Sequence, residues 1–274
     1  MLVREAHSHY AINCSLLFKE YPLLQRAAAA KAAGFGLVEY WWPWDVAVPS
    51  DSEVTAFVDA IKASGAQLIG LNFFAGTMPG PDRGVVSSVA RQDEFRRNVP
   101  VVLAIGKELG CRAFSALYGN RQPGEDPEQS DQVALANLAF AANEMADIDG
   151  TVLVEPVSGP GAENYPLKLA DDCFAVIDKL EAGGVTNVKF LADLYHLAAN
   201  GDDVASAVRR YAGRTGHVQI ADFPGRGEPG TGDLPLSDLL ADLWAGGYDG
   251  YVALEYNPTK PTAESFTGLP VLPT

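Results

Sequence analysis

Residues 189–198 read KFLADLYHLA. With Val188 in front, Phe190, Leu191 and Ala192 make an apolar run suited to a buried strand, which ends on Asp193, with His196 three residues further on. An aspartate there has two chemistries open to it. Its oxygen can cap the first turn of a following helix, with His196 in that turn. It can equally ligate a metal at the mouth of a barrel. The stretch alone does not separate the two, so the ends of the other apolar runs decide how it is read.

They end in the same way. The run TVLVE (151–155) stops at Glu155, HVQIA (217–221) carries Gln219 and precedes Asp222, and YVALE (251–255) stops at Glu255. Capping explains two of these poorly. Glu is a weak N-cap and Pro156 follows Glu155, while Asn257-Pro258 after Glu255 reads as a turn. Three carboxylates and an amide oxygen gathered in one cavity repel unless a cation neutralises them. All-oxygen ligation fits Mg²⁺ or Mn²⁺, with Zn²⁺ and Co²⁺ left open.

Whether those ends gather depends on the fold. Further strands are expected at 10–14, 36–40, 67–72, 112–116 and 188–193. Helices are expected at 22–33, 52–64, 91–110, 132–147, 167–182, 202–212 and 236–245. Strict alternation predicts a parallel sheet, and eight units predict closure into a single (β/α)8 TIM barrel over 1–274. Such barrels typically take about 250 residues, and this chain has 274. A doubly wound sheet is the rival, but SLLFKEYP after the first strand carries no GxGxxG. Residues 1–9 are expected to fray and 259–274 to form a C-terminal extension.

Bulk properties narrow the partners. A net charge of −15 opposes nucleic acid and anionic membranes. Cys14, Cys111 and Cys173 are too few and too scattered for a disulfide framework. No 18-residue apolar run and no signal-like leader are present, so a cytoplasmic enzyme is expected, with a homo-oligomer left open.

The stretches LVEP, FLADLYH, GHVQIAD, RGEPGTGD and ALEY, with NCSLLFKEYPLLQRAAAAKAAGFGLVEYWWPWD and LNFFAGTMPGPDRGVVS, resemble the hydroxypyruvate isomerase family of xylose-isomerase-like TIM barrels. The likeness runs from about Asn13 to Tyr256. QIAD followed by RGEPGTG is its most specific part, since related epimerases and endonucleases usually carry His where Gln219 stands. The resemblance implies a divalent metal held by Glu155, Asp193, Gln219 and Glu255. It implies proton transfer by Glu155 and Glu255, substrate oxygens held by His196 and Arg226, and Glu39 and Asn72 as pocket-lining positions. Arg226, in a Gly-rich loop, suits a bidentate grip on a substrate carboxylate. The implied reaction interconverts a short hydroxy-keto acid and its aldehyde isomer.

Departures fall at loops that would face the substrate: Gly225 before the arginine, Phe73-Phe74 where Leu-Pro is usual, and Trp41, Trp42 and Trp44 on the rim. The tryptophans suit barrel-end packing or a wall that excludes water. His217 is expected in the core or at a strand edge, and His7 and His9 are given no role. A ketose 3-epimerase on the same scaffold is the alternative function. An endonuclease IV-like phosphodiesterase would want more histidines and a basic face. A non-catalytic sugar-acid binding protein would be expected to lose one of the two glutamates.

Overall fold

A computed structural model describes residues 8–77 and 80–272. Its strands are β1 Tyr10–Asn13, β2 Leu37–Tyr40, β3 Gln67–Asn72, β4 Ala113–Ser115, β5 Thr151–Val154, β6 Val188–Asp193, β7 Thr215–Ile220 and β8 Val252–Leu254. They close into a barrel in sequence order, and β8 pairs in parallel with β1. Closure excludes the doubly wound sheet. The helices are α1 Arg26–Ala32, α2 Asp51–Ser64, α3 Gln92–Leu109, α4 Pro127–Ala146, α5 Ala170–Ala182, α6 Leu194–Ala199, α7 Val204–Tyr211 and α8 Leu236–Ala245. Among the described residues, no helix is long and apolar enough to cross a membrane.

Three expected helix starts move by three residues or more: α1 starts at Arg26, not 22, because Leu23–Gln25 form a 3-10 turn, and local capping explains the other two. α4 starts at Pro127, not 132, because Asp126 accepts a hydrogen bond from Glu128 N at 3.1 Å and proline suits the first turn. α5 starts at Ala170, not 167, because the Asp172 carboxylate takes the amides of Lys168 and Leu169, each at 2.9 Å. Of the segment expected to fray, residues 1–7, with His7, lie outside the described residues. His9 is described, and its carbonyl accepts from Val252 N at 2.9 Å. The C-terminal extension lies against the barrel. The Phe266 ring is 4.6 Å from Phe35, and Tyr10 OH donates to Pro270 O at 2.8 Å. Residues 273–274 lie outside the description.

Strand alternation positions the site. Val152, Val154, Phe190, Ala192, Val218, Ile220, Val252 and Leu254 belong to the core between barrel and helices. Residues of the other parity point into the barrel. Ala11, Leu37, Ile69 and Ala253 form a separate apolar cluster there. Two residues beyond Ala11, Leu37 and Ala253 stand Asn13, Glu39 and Glu255, so one rule that packs the barrel floor also turns these polar groups inward. Gly70 makes room for Glu39, because a Cβ at Gly70 would lie 3.1 Å from Glu39 Cβ and Oε2.

Gly106 in α3 is a sharper case of close approach. A Cβ there would sit 2.6 Å from Phe114 Cζ. Alanine favours a helix over glycine by about 1 kcal/mol, whereas overpacking costs about 1–3 kcal/mol. Gly106→Ala is therefore expected to lower unfolding stability by about 1 kcal/mol or more in urea titration. A stabilised variant would show that Phe114 yields freely.

Candidate active site

Glu39, near the C-terminal end of β2, accepts hydrogen bonds from three residues on two other strands, Asn13 of β1 and Gln219 and His217 of β7. Asn13 Nδ2 donates to its Oε1 at 2.8 Å, Gln219 Nε2 to Oε1 at 2.7 Å, and His217 Nε2 lies 2.7 Å from Oε2. Burial opposes its charge, but His217 and these hydrogen bonds outweigh it and hold the carboxyl below its ordinary range. An ionised carboxylate only accepts, so the Gln219 amide must turn its nitrogen toward Glu39. That leaves Gln219 Oε1 buried with no hydrogen-bond partner. An orphaned acceptor is costly, and a cation would satisfy it.

The other three carboxylates crowd the same end of the barrel. Ser115 Oγ donates to Glu155 Oε1 at 2.8 Å. Burial, with the neighbouring Asp193 charge, pushes Glu155 up to about 8. Burial likewise lifts Asp193 to about 6, against the pull of Arg226 and the amides of His196 and Tyr195. Burial holds Glu255 well above the carboxylate range even though Arg226 Nη2 donates to its Oε1 at 2.6 Å. The same Arg226 nitrogen lies 3.7 Å from Asp193 Oδ2. These groups resist ionisation first because they are buried and then because the positive charge facing them does not offset that burial, and a bound cation would lower all three.

Asp193 also caps α6, since His196 N donates to its Oδ1 at 3.0 Å. Capping is therefore shown, and it leaves Asp193 Oδ2 available to meet a cation. Glu155, Asp193 and His196 offer atoms within 4.8 Å of one another, a buried triad that could bind a metal. The His196 ring argues for a different part. Ser158 N donates to its Nδ1 at 3.1 Å. A backbone N–H can only donate, so Nδ1 is bare and the proton sits on Nε2. Burial and the charge of Arg226 keep the ring well below its ordinary pKa, hence neutral. His196 therefore presents an N–H donor, 3.6 Å from Asp193 Oδ2.

Arg226 is carried by the loop after β7 with φ 58°, in the left-handed region, next to Gly225 at φ 105°. Asp222, which ends the HVQIAD stretch, does not join the cluster. Its carboxylate accepts from the amides of Phe223, Leu234 and Gly230 at 2.9, 3.1 and 2.7 Å and so shapes the loop. The Arg226 guanidinium lies 5.3 Å from the centre of the Tyr195 ring.

Glu155, Glu255, His196, Arg226 and Asn72 line one small cavity of about 30 Å³, roughly the room of one ion or water. It shares Trp41, Asn72, Arg83, Leu117 and Arg226 with an outer cavity of about 570 Å³. Glu39 lies beneath, its oxygens already engaged. Of the rim tryptophans, Trp42 is buried and packs on Trp44 at 4.8 Å, while Trp41 also faces the small cavity. His217 is buried inside the barrel, as expected. Sequence reasoning missed Asn13, Ser115 and Ser158. Asn13 could have been found, because it ends strand YAIN as Glu39 ends GLVE. The two serines carry no such signal.

Residues 27–270 match the family model of the xylose isomerase-like TIM barrel. A Streptomyces coelicolor protein provisionally named hydroxypyruvate isomerase is 51% identical over 97% of this chain and 96% of its own. The 2-oxo-tetronate isomerase of Cupriavidus necator is 32% identical over 93% of this chain and 94% of its own. A solved Brucella melitensis structure, described as an AP endonuclease of family 2, superposes with a TM-score of 0.85 at 30% identity, covering 95% of this chain and 97% of that one. The strand-end cluster, the closed barrel and these near full-length likenesses agree that the chain belongs to the xylose isomerase-like TIM-barrel family, within its hydroxypyruvate isomerase group, and is an isomerase.

Proposed function

We propose that this isomerase interconverts a short hydroxy-keto acid, of the hydroxypyruvate or 2-oxo-tetronate type, and its aldehyde isomer. Glu155 and Glu255 move the proton, and a divalent cation, Mg²⁺ or Mn²⁺ by its oxygen donors, is the cofactor. The observation that carries this reading is the set of under-neutralised acids, Glu155, Asp193 and Glu255, beside the orphaned oxygen of Gln219. Relatives named for these two activities supply the substrate class.

Glu155, Asp193, Gln219 and Glu255 would hold the cation. When bound, it supplies positive charge that stabilises the enediolate formed when the substrate loses a carbon-bound proton. Glu155, directly after β5, and Glu255, directly after β8, stand at well-separated places on the ring of strands. One takes the proton from the hydroxyl-bearing carbon and the other returns a proton to the former carbonyl carbon, while the hydroxyl's proton passes to the former carbonyl oxygen, so that the old hydroxyl becomes the new carbonyl. Ser115 fixes one oxygen of Glu155, and Asn13 and Arg226 fix Glu255, so each base keeps its aim. His196 Nε2–H faces the cavity as a donor to a substrate oxygen. Trp41 and Leu117 form an apolar wall that limits water at the reacting carbons.

Glu155→Gln and Glu255→Gln are each expected to cut kcat at least about 10²-fold while folding normally. A fully active Glu255→Gln enzyme would remove the two-glutamate scheme. Faster turnover of fructose or tagatose than of hydroxypyruvate would move the assignment to a ketose 3-epimerase.

The charge imbalance also has a thermodynamic signature. In the cation-free protein Glu155 titrates near 8 and Asp193 near 6, above their ordinary values of 4.5 and 3.8. Between those limits the folded state holds more protons than the unfolded chain, so stability falls as pH rises. The Tm of EDTA-treated protein should therefore drop between about pH 5 and pH 8. Mn²⁺ should raise Tm, and more at pH 8 than at pH 5.5, because it displaces protons. A cation effect that is absent or independent of pH would count against the four-ligand site.

A further inference from the structure

Arg226 is poorly free to hold a substrate carboxylate. One of its terminal nitrogens is spent on Glu255 at 2.6 Å and lies near Asp193. A carboxylate arriving there would have to compete with Glu255 for the guanidinium. It would also enter a region already crowded with buried acids, where an unpaired anion is costly. The anion needs a cation whose charge is not already balanced.

Of the two arginines on the small cavity, Arg83 comes nearer to this, since the exposed Glu163 acts on it only from beyond ion-pair distance. Arg83 stands in the loop between β3 and α3 and lines both the small cavity and the outer one, together with Arg226. Among the described residues it joins no ion pair. Its Nη2 donates to the carbonyl of Pro160, and its Nε, like that of Arg226, is buried with no hydrogen-bond partner; the two arginines differ in that Arg226 alone is ion-paired.

The loop that presents it is clamped on both sides. Before it, Asp82 accepts from Arg91 Nη1 at 2.6 Å and Thr77 N at 2.9 Å, and its carbonyl accepts from Asn120 N at 2.9 Å. After it, Gly84 bridges to Tyr118 and donates to Ala75 O at 2.9 Å. Gly84 has φ 125°, and a Cβ there would be 2.2 Å from Leu117 O, so only glycine allows this approach. Arg83 itself has φ 51°, in the left-handed region. Such a backbone state on a non-glycine residue is held by its surroundings, and here it points to a fixed presentation of the guanidinium.

We propose that Arg83 binds the substrate's carboxylate and thereby selects hydroxy-keto acids over neutral ketoses. This rests on the reading given under Proposed function. Arg226 is then a positioning residue, which holds Glu255 and Asp193.

The test is calorimetric titration of the cation-loaded enzyme with glycerate, an unreactive acid of similar shape, alongside kinetics with hydroxypyruvate. Arg83→Gln should weaken glycerate binding and raise KM, each at least about 10-fold, while kcat changes less than about 3-fold. Arg83→Lys should fall between, since it restores charge without the planar fork. Arg83 is only partly buried, so both variants are expected to fold, which thermal melts check. Glycerate bound as tightly by Arg83→Gln as by wild type, or not bound by wild type at all, overturns the proposal. So does loss of glycerate binding confined to an Arg226→Gln variant. Failure of wild type to isomerise either hydroxypyruvate or 2-oxo-tetronate would instead overturn the proposed function, and the glycerate comparison would still report on Arg83.

Discussion

Four carboxylates, Glu39, Glu155, Asp193 and Glu255, are buried at one end of a closed barrel, and their mutual repulsion is the constraint around which the molecule is arranged. A barrel interior holds such a cluster only if each charge is satisfied, suppressed or reserved for a partner. Glu39 is satisfied, by Asn13, Gln219 and His217. Glu155, Asp193 and Glu255 are left with raised pKa values, so in the absence of a cation protonation relieves part of the repulsion. The lowest acid in the stack thus serves the upper ones. By taking the Gln219 nitrogen it turns the amide oxygen the other way.

The surrounding loops do the complementary work of supplying positive charge from outside the barrel. Arg226 reaches in from the loop that Asp222 organises through three backbone amides. Arg83 reaches in from the opposite side of the strand order, on a loop clamped by Asp82 and Gly84. Both arginines sit at positive φ, where an ordinary residue is uncommon. Barrels of this kind carry their chemistry at the strand ends and their selectivity in the loops beyond. Of the positions expected to face the substrate, Trp41, Trp42 and Trp44 line the outer cavity, whereas Phe73 and Phe74 are buried in the core, Phe73 against Phe95 and Phe114.

Much of the fold was legible because a parallel barrel writes a plain pattern. Strands buried on both faces read as short apolar runs, and all eight lie within two residues of where those runs predict. Helix starts were less legible where the cap was not set by the apolar pattern, as with Asp126 before α4 and Asp172 in the first turn of α5. The strand-end acids stood out because glutamate followed by proline, or by a turn, has no ordinary capping use. Ser115 and Ser158 did not stand out, because a lone polar residue in a buried strand or loop carries no spacing signal, whereas Asn13 was legible as the polar residue that closes YAIN.

What the sequence determined by itself was the strands and their ends: where each apolar run lies, and that oxygen donors stand at or near the ends of four of them. A short apolar run and the residue that ends it are local properties of the chain, so they are legible without knowledge of the fold. What only the tertiary structure decided was how the polar groups divide their partners. Closure of the barrel brings Glu39 of β2 against Gln219 and His217 of β7. The long loops bring Ser158 to His196, Arg226 to Glu255 and Arg83 to the carbonyl of Pro160. Charge balance, tautomer and the direction of an amide are set by atoms far apart in the chain, and hydrogen bonds between them exist only once the ring of strands is shut.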